Sequence, residues 1–220
     1  MVTGAAGTMG RAVVSFLKEE GLKVIGIDVR GECVRCDVSD ARAVRSAIEE
    51  IGPVDVLVNN AGVLSNNKAE ATTPEEWHKV LAANLDGAFY LSRAVIPGMK
   101  MRRWGRIVNT CSLAAKTGGL TAGTAYAASK GALTSLTFSL ARELAGFGVT
   151  VNGISPAYVR TPMVTEQLTE AQRKHLIAQI PVGRFCEPEE FAHVVRFLVS
   201  PLAGFITGEI VDLNGGLVMD

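Results

Sequence analysis

The sequence predicts an α/β protein: a doubly wound parallel sheet, Rossmann-like, in three α/β/α layers and one domain over residues 1–220. Three observations predict it. Apolar, β-rich runs alternate with helix-periodic segments along the whole chain, joined by short loops. A Gly-rich turn at residues 3–10 leads directly into a helix and then a strand that ends in an acid, Asp28. With 220 residues, 48% hydrophobic and 20% charged, the chain can bury one sizeable core.

The elements follow in order. The Gly-rich turn precedes a helix with Val13, Val14 and Leu17 on its apolar stripe and Gly21 as its C-cap. Residues 23–28 read as a buried strand. Glycines let a backbone approach a pyrophosphate, helix-terminal amides bind it, and an acid at the strand end can take ribose hydroxyls. Only Met1 and Val2 precede the turn, so the first strand is very short. Residues 32–36 read as another short strand, with no room for a helix between Asp28 and Glu32. Ser39 is the expected N-cap of the next helix, which carries Val44, Ile48 and Ile51 and closes at Gly52-Pro53.

Residues 54–58 form an apolar strand that ends in Asn59-Asn60-Ala61-Gly62. Such a turn suits a cofactor floor, because ligands bind beyond the C-terminal ends of parallel strands; an ordinary Asn-Gly turn is the equal alternative. Thr73-Pro74-Glu75-Glu76 starts a helix with Trp77, Val80, Leu81, Leu85 and Ala88 on one face, and Pro97-Gly98 is its expected end. Asn84 sits on or beside that face and needs partners, either structural or as the holder of a water. Residues 106–110 form a strand, with Ser112 just beyond its C-terminal end. No histidine stands next to Ser112, so it reads as a hydrogen-bond donor and not as a nucleophile. A long helix then runs from about Tyr126 to Gly146. Residues 149–154 form a strand ending in Pro156-Ala157, a helix lies near 169–179, another begins at Glu187-Pro188, and 210–213 close the sheet.

The bulk properties exclude several classes. Lys plus Arg and Asp plus Glu are 22 each, so no net field recruits nucleic acid or an anionic membrane. The N-terminus has no basic stretch followed by an apolar one, and no run is long enough to span a bilayer; a cytoplasmic protein is expected. Cys33 and Cys36 have CxxC spacing, but on a strand they point to opposite faces, so structural thiols are expected and no metal.

Chemistry enters at Tyr126-Ala127-Ala128-Ser129-Lys130. Residues four apart share a helix face, so the phenol and the ammonium lie one above the other. A cation fixed beside a phenol favours the phenolate and suits it to proton transfer near neutrality.

In this company the residues resemble the short-chain dehydrogenase/reductase family, in its single-domain branch, over essentially the whole chain. The resemblance rests on Thr3-Gly4…Gly10, Asp37-Val38, 59–62, Asn84, Ser112, Tyr126-x-x-x-Lys130, Asn152…Pro156, Thr161-Pro162, the stretch from Ile180 to Phe185, Ile206-Thr207-Gly208 and Gly215-Gly216. It implies a tetrad. Tyr126 exchanges the proton, Ser112 orients the substrate oxygen, Lys130 binds the nicotinamide ribose and tunes Tyr126, and Asn84 holds a relay water. It also implies that Gly4, Gly7, Met9 and Gly10 border the pyrophosphate, and Asp37 and Val38 the adenine. Asn60, Ala61 and Gly62 line the adenosine and ribose side, and Pro156, Val159 and Thr161 the nicotinamide. Residues of about 163–185 become a lid over the substrate. Three differences bear on cofactor fit: Thr8 at the family's middle glycine, Ala157 for the usual glycine, and the short first strand.

The C-terminal third looks most like the 3-oxoacyl-(acyl-carrier-protein) reductases. A small-molecule or acyl-thioester substrate and a homotetramer are therefore expected. A catabolic NAD-dependent dehydrogenase of a small or cyclic hydroxyl compound is the alternative. From another class, a catalytically silent nucleotide-binding regulator would not need all four tetrad residues. NAD is expected as the preferred cofactor over NADP, because Asp28 would face the 2′-phosphate. At 4 Å and an effective dielectric of 20, a like-charge pair costs about 4 kcal/mol before salt screening. A biosynthetic acyl reductase would normally draw on NADPH, so this choice tilts the expected direction towards oxidation.

Overall fold

The computed structural model describes residues 1–162 and 169–219. Its strands are β1 (Val2–Thr3), β2 (Gly26–Asp28), β3 (Val34–Arg35), β4 (Val56–Asn59), β5 (Gly105–Thr110), β6 (Val149–Pro156) and β7 (Ile210–Leu213). All pair in parallel, in the order β3-β2-β1-β4-β5-β6-β7. The chain winds outward from β1 in one direction, then returns to β4 and winds the other way. The C-terminal ends of β1 and β4 thus flank the crevice where such sheets bind ligands.

Helices cover both faces. α1 (Thr8–Glu19) and the C-terminal helix, α8 (Pro188–Val199), pack on one through Val13, Leu17, Phe191, Val195 and Leu198. Phe191 is fully buried, a contribution of about 1.5–3 kcal/mol for a large apolar side chain. The other face takes α2 (Ala41–Ile51), α4 (Gly87–Arg102) and α6 (Thr124–Leu144) through Val44, Leu91, Val95, Met99, Leu140 and Leu144. Between them lie α3 (Pro74–Leu81), a π-helical turn at Ala82–Asp86, the short α5 (Ala114–Thr117) and α7 (Glu170–Gln179). None of the helices described is long and apolar enough to cross a membrane.

Several expectations are corrected. Pro97 does not end its helix: α4 runs to Arg102, because the exposed Pro97 faces solvent while Val95 and Met99 continue the buried stripe beyond it. Gly105 admits Met99, whose sulfur would lie 2.5 Å from a Cβ there. The N-cap of α2 is Asp40 and not Ser39, because Ser39 gives both its N–H and its hydroxyl to Asp37. β2 starts at Gly26, later than expected, since its partner β1 offers only two residues to pair with. Leu133, Leu140 and Leu144 are core residues; the exposed large apolar side chains of α6 and α8 are Phe138 and Phe197.

The first six residues of the expected lid, 163–168, lie outside the described residues. The remainder carries more core than its sequence suggests. Thr169 caps α7 with a capping box, and Leu176, Ile180 and Phe185 are buried together beside Tyr158 and Leu217.

Candidate active site

The switch point is stitched by one hydroxyl. Thr3 Oγ1 accepts the N–H groups of Asn60 and Ala61, each at 2.9 Å, and Asn60 Nδ2 donates to Thr3 O at 3.0 Å. Gly4 follows with φ +64°, and a Cβ there would lie 2.9 Å from Ala61 Cα. Only glycine fits that conformation so close to the neighbouring turn. Gly10 is tighter still: a Cβ would come 2.1 Å from Gly4 O, so α1 can seat on the turn only without one. Gly7 caps α1, no side chain caps the amides that open it, and no acid stands in its first turn. Those amides form a free donor set with the positive end of the helix dipole behind them, which fits a pyrophosphate. Thr8, at the place of the missing glycine, begins the helix without disturbing this.

Asp28 ends β2 beside the turn and is 9% exposed. Its Oδ2 accepts Ala6 N–H at 3.0 Å and its Oδ1 accepts Arg30 N–H at 3.1 Å. Among the described residues no ion pair joins the Arg30 guanidinium to this carboxylate. Asp28 therefore positions the Gly-rich turn as well as facing the place expected for the ribose. Asp37 is exposed and holds Ser39, and Val38 is buried where Gly87 lets it approach the start of α4.

Beyond the C-terminal ends of β4, β5 and β6 opens a cleft of about 450 Å³. Ser112, Tyr126 and Lys130 line it together, with Met9, Asn60 and Gly62 on one side and Pro156, Val159 and Thr161 on another. Gly4, Gly7, Gly10, Asp28, Asp37, Val38 and Ala61 lie outside that lining, and Asn84 sits behind it. Among the described lining residues Lys130 is the sole charged side chain.

Each tetrad residue is held by its own local structure. Lys130 is 3% exposed; its Nζ donates to Thr110 O at 2.6 Å and stands 5.7 Å from the centroid of the Tyr126 ring. Ser112 follows β5, and its Oγ accepts Ala114 N–H at 3.1 Å, which leaves its own hydrogen to be donated. Asn84 lies in the π-helical turn and is 1% exposed. Its Oδ1 accepts Val63 N–H at 2.7 Å, and its Nδ2 donates to Val63 O and Ser129 Oγ, both at 3.0 Å. Both amide hydrogens are thus spent on the protein. Gly62 keeps the space between Asn84 and Lys130 open, since a Cβ there would sit 2.9 Å from Asn84 Oδ1.

Two residues of the site were missed in the sequence. Thr3 was read only as part of a turn. Ser129 donates to Tyr126 O at 2.7 Å while accepting from Asn84, so it ties the π-helical turn to the first turn of α6. Its place three residues after Tyr126, where a serine can bond back to the i−3 carbonyl, was the available signal. Cys33 and Cys36 are free thiols, with Cys36 buried and its pKa raised by that burial and by Asp37 and Asp40.

Comparison with known proteins gives the family. The family model described as enoyl-(acyl carrier protein) reductase matches residues 4–218. Among curated proteins, the chain is 39% identical to a 3-oxoacyl-(acyl-carrier-protein) reductase of Vibrio cholerae, covering all of this chain and 96% of that one. Its identity to the enzyme of the same name is 38% in Escherichia coli, with the same coverage, and 35% in Thermotoga maritima, over 97% of that protein.

Proposed function

This chain belongs to the short-chain dehydrogenase/reductase family and is an NAD(P)-dependent oxidoreductase acting on CH–OH groups, and from that premise we propose its substrate, its residue roles and its cofactor preference. The substrate is a 3-oxoacyl thioester or the corresponding 3-hydroxyacyl compound. The observation that carries this is the convergence of Ser112, Tyr126 and Lys130 in one cleft that also has Leu64, Leu113, Leu120 and Leu176 in its lining. The names of the relatives point to the same substrate class.

The nicotinamide, when bound, supplies or takes up the hydride. Tyr126 gives a proton to the carbonyl oxygen in reduction and removes one from the hydroxyl in oxidation. The Lys130 ammonium, anchored on Thr110 O beside the Tyr126 ring, has hydrogens left for ribose hydroxyls. Ser112 donates its hydrogen to the reacting oxygen and stabilises charge there. Asn84 acts as a positioning residue, holding Val63 and, through Ser129, the turn that carries Tyr126. The amides of Met9 and Gly10 bind the pyrophosphate, with Gly4 and Gly7 forming the turn, in which Gly7 N–H donates to Gly4 O at 3.0 Å. Asn60, Ala61 and Gly62 border the ribose, Asp37 and Val38 the adenine, and Pro156, Val159 and Thr161 the carboxamide side.

NAD is preferred over NADP, because Asp28 presents a fixed carboxylate with no paired cation where a 2′-phosphate would lie. That observation also supports the second reading, a catabolic dehydrogenase of a small hydroxyl compound working in the oxidative direction. Residues 169–185 act as a lid, with Leu176 in the lining of the cleft. The protein is cytoplasmic and assembles as a homotetramer, with exposed Phe138 and Phe197 at the contacts. A scattering mass near the 23.3 kDa of one chain would contradict the assembly.

The function is tested by following nicotinamide absorbance with 3-oxoacyl thioesters and simple ketones under NADH and NADPH, and with small alcohols under NAD and NADP. Oxidation of NADH by a 3-oxoacyl thioester is expected. Turnover confined to small alcohols with NAD would favour the second reading, and no turnover with any substrate would sink both.

A further inference from the structure

We propose that Lys68 is a positioning residue that holds the cap of the substrate cleft in place. Its Nζ donates to two backbone carbonyls of one loop, Gly119 O at 2.9 Å and Ala122 O at 2.6 Å. No backbone N–H among the described residues serves either carbonyl. The loop folds back on itself through two successive glycines in the left-handed region, Gly118 at φ +70° and Gly119 at φ +82°. That fold brings the two carbonyls together and gives a single ammonium both of them. Charge-assisted bonds of this kind are the stronger class of hydrogen bond.

The clamped loop borders the chemistry on both sides. Gly119, Leu120, Thr121 and Ala122 line the cleft. The next two residues are stitched to the segment that carries Lys68: Gly123 N–H donates to Ser65 O at 2.7 Å, and Thr124 N–H to Asn67 O at 3.1 Å. Gly123 is the N-cap of α6, three residues before Tyr126, and a Cβ on it would come 2.4 Å from Asn67 O. The Lys68 segment is itself anchored. Glu76, at the start of α3, accepts Ser65 Oγ and, at 2.8 Å, Asn67 Nδ2. The pull of these donors holds the Glu76 carboxyl below its ordinary pKa. A continuous set of contacts thus runs from α3 through residues 65–68 to the cap and the start of the catalytic helix.

The consequence concerns substrate size. Lys68 touches neither the tetrad nor the cofactor turn, so its loss leaves the proton-transferring groups intact. It frees the wall against which the outer, apolar part of a substrate packs. Small ketones that fill only the inner end of the cleft are insensitive to it, and longer ones are not. The proposal rests on the reading of this cleft as the substrate site.

The test compares wild type with Lys68→Met, which keeps an unbranched side chain but removes the ammonium, and with Lys68→Arg. Amide hydrogen exchange of residues 118–124 is measured beside KM, kcat and the NADH dissociation constant over a homologous ketone series. In Lys68→Met, exchange in that loop is expected to quicken about tenfold. KM should rise by a similar factor for the longest ketones while kcat and NADH affinity hold, and Lys68→Arg should recover most of the loss. Unchanged loop exchange would overturn the clamp whatever the enzyme's substrate proves to be. Faster exchange with the same KM across the series would overturn its role in the cleft. If wild type reduces no ketone, the proposed activity falls, and the exchange result alone decides the clamp.

Discussion

The two ends of the binding crevice are built in opposite ways. At the catalytic end, side chains do the work: Lys130 is anchored on a carbonyl, Ser112 on an amide, and Asn84 on Val63 and Ser129. At the adenosine end, what matters is mostly the lack of side chains: Gly4 and Gly10 allow a turn and a helix to meet, and the amides above them stay free. Asp28 is the exception, a single carboxylate fixed by two backbone N–H groups. The difference teaches that changes at the first end should act on rate, and changes at the second on binding and on the choice of nicotinamide.

Lys130 is the residue that joins the two ends, so its loss should have the largest effect. Lys130→Ala is expected to lower kcat by at least about 10²-fold, the lower range for acid–base assistance, and to weaken NADH binding as well. Stopped-flow binding beside steady-state turnover checks this; a pure rate loss with unchanged affinity would contradict the ribose role. Next comes Gly10→Ala. A methyl group 2.1 Å from Gly4 O forces the turn and α1 apart, so NADH affinity should fall by more than about tenfold, with a loss of stability on the scale of overpacking, about 1–3 kcal/mol. Gly7→Ala sharpens the contrast: its Cβ would meet only Gly4 O at 3.2 Å, so titration should show a smaller loss of NADH affinity than Gly10→Ala causes.

Asp28 sets a smaller effect on affinity but a clear one on choice. NAD(H) is expected to exceed NADP(H) in kcat/KM by at least about tenfold, a third of one like-charge contact. Asp28→Ala should narrow that gap. Because Ala6 N–H loses its acceptor in that variant, Asp28→Asn is the cleaner comparison: it removes the charge and keeps a carbonyl for the turn. Equal efficiency of NADP(H) in the wild type would contradict the preference and the oxidative direction together.

The uneven legibility of the sequence follows the same division. Strands such as 106–110 and 149–154 were plain, because buried parallel strands are continuous apolar runs bounded by turns. Tyr126 and Lys130 were plain because helix periodicity alone puts them on one face. Less visible were features that depend on partners far along the chain. The helix through Pro97 persists because Met99 is buried against β5, which no local rule can see. The π-helical turn at Asn84 is paired with Val63 and Ser129, residues 21 and 45 positions away. Ser39 reads as a cap as well as Asp40 does, until Asp37 takes its hydroxyl. Lys68 gives no local signal at all, since its two acceptors belong to a loop more than fifty residues on.

The most direct test of the account is Tyr126→Phe, with turnover and NADH affinity measured on one preparation. The variant removes a single oxygen from the catalytic end and nothing from the adenosine end. We predict a loss of rate of at least about 10²-fold, with the NADH dissociation constant within about twofold of wild type. A variant that keeps more than about a tenth of the wild-type rate falls well short of that acid–base contribution and would contradict the assignment of the proton to Tyr126.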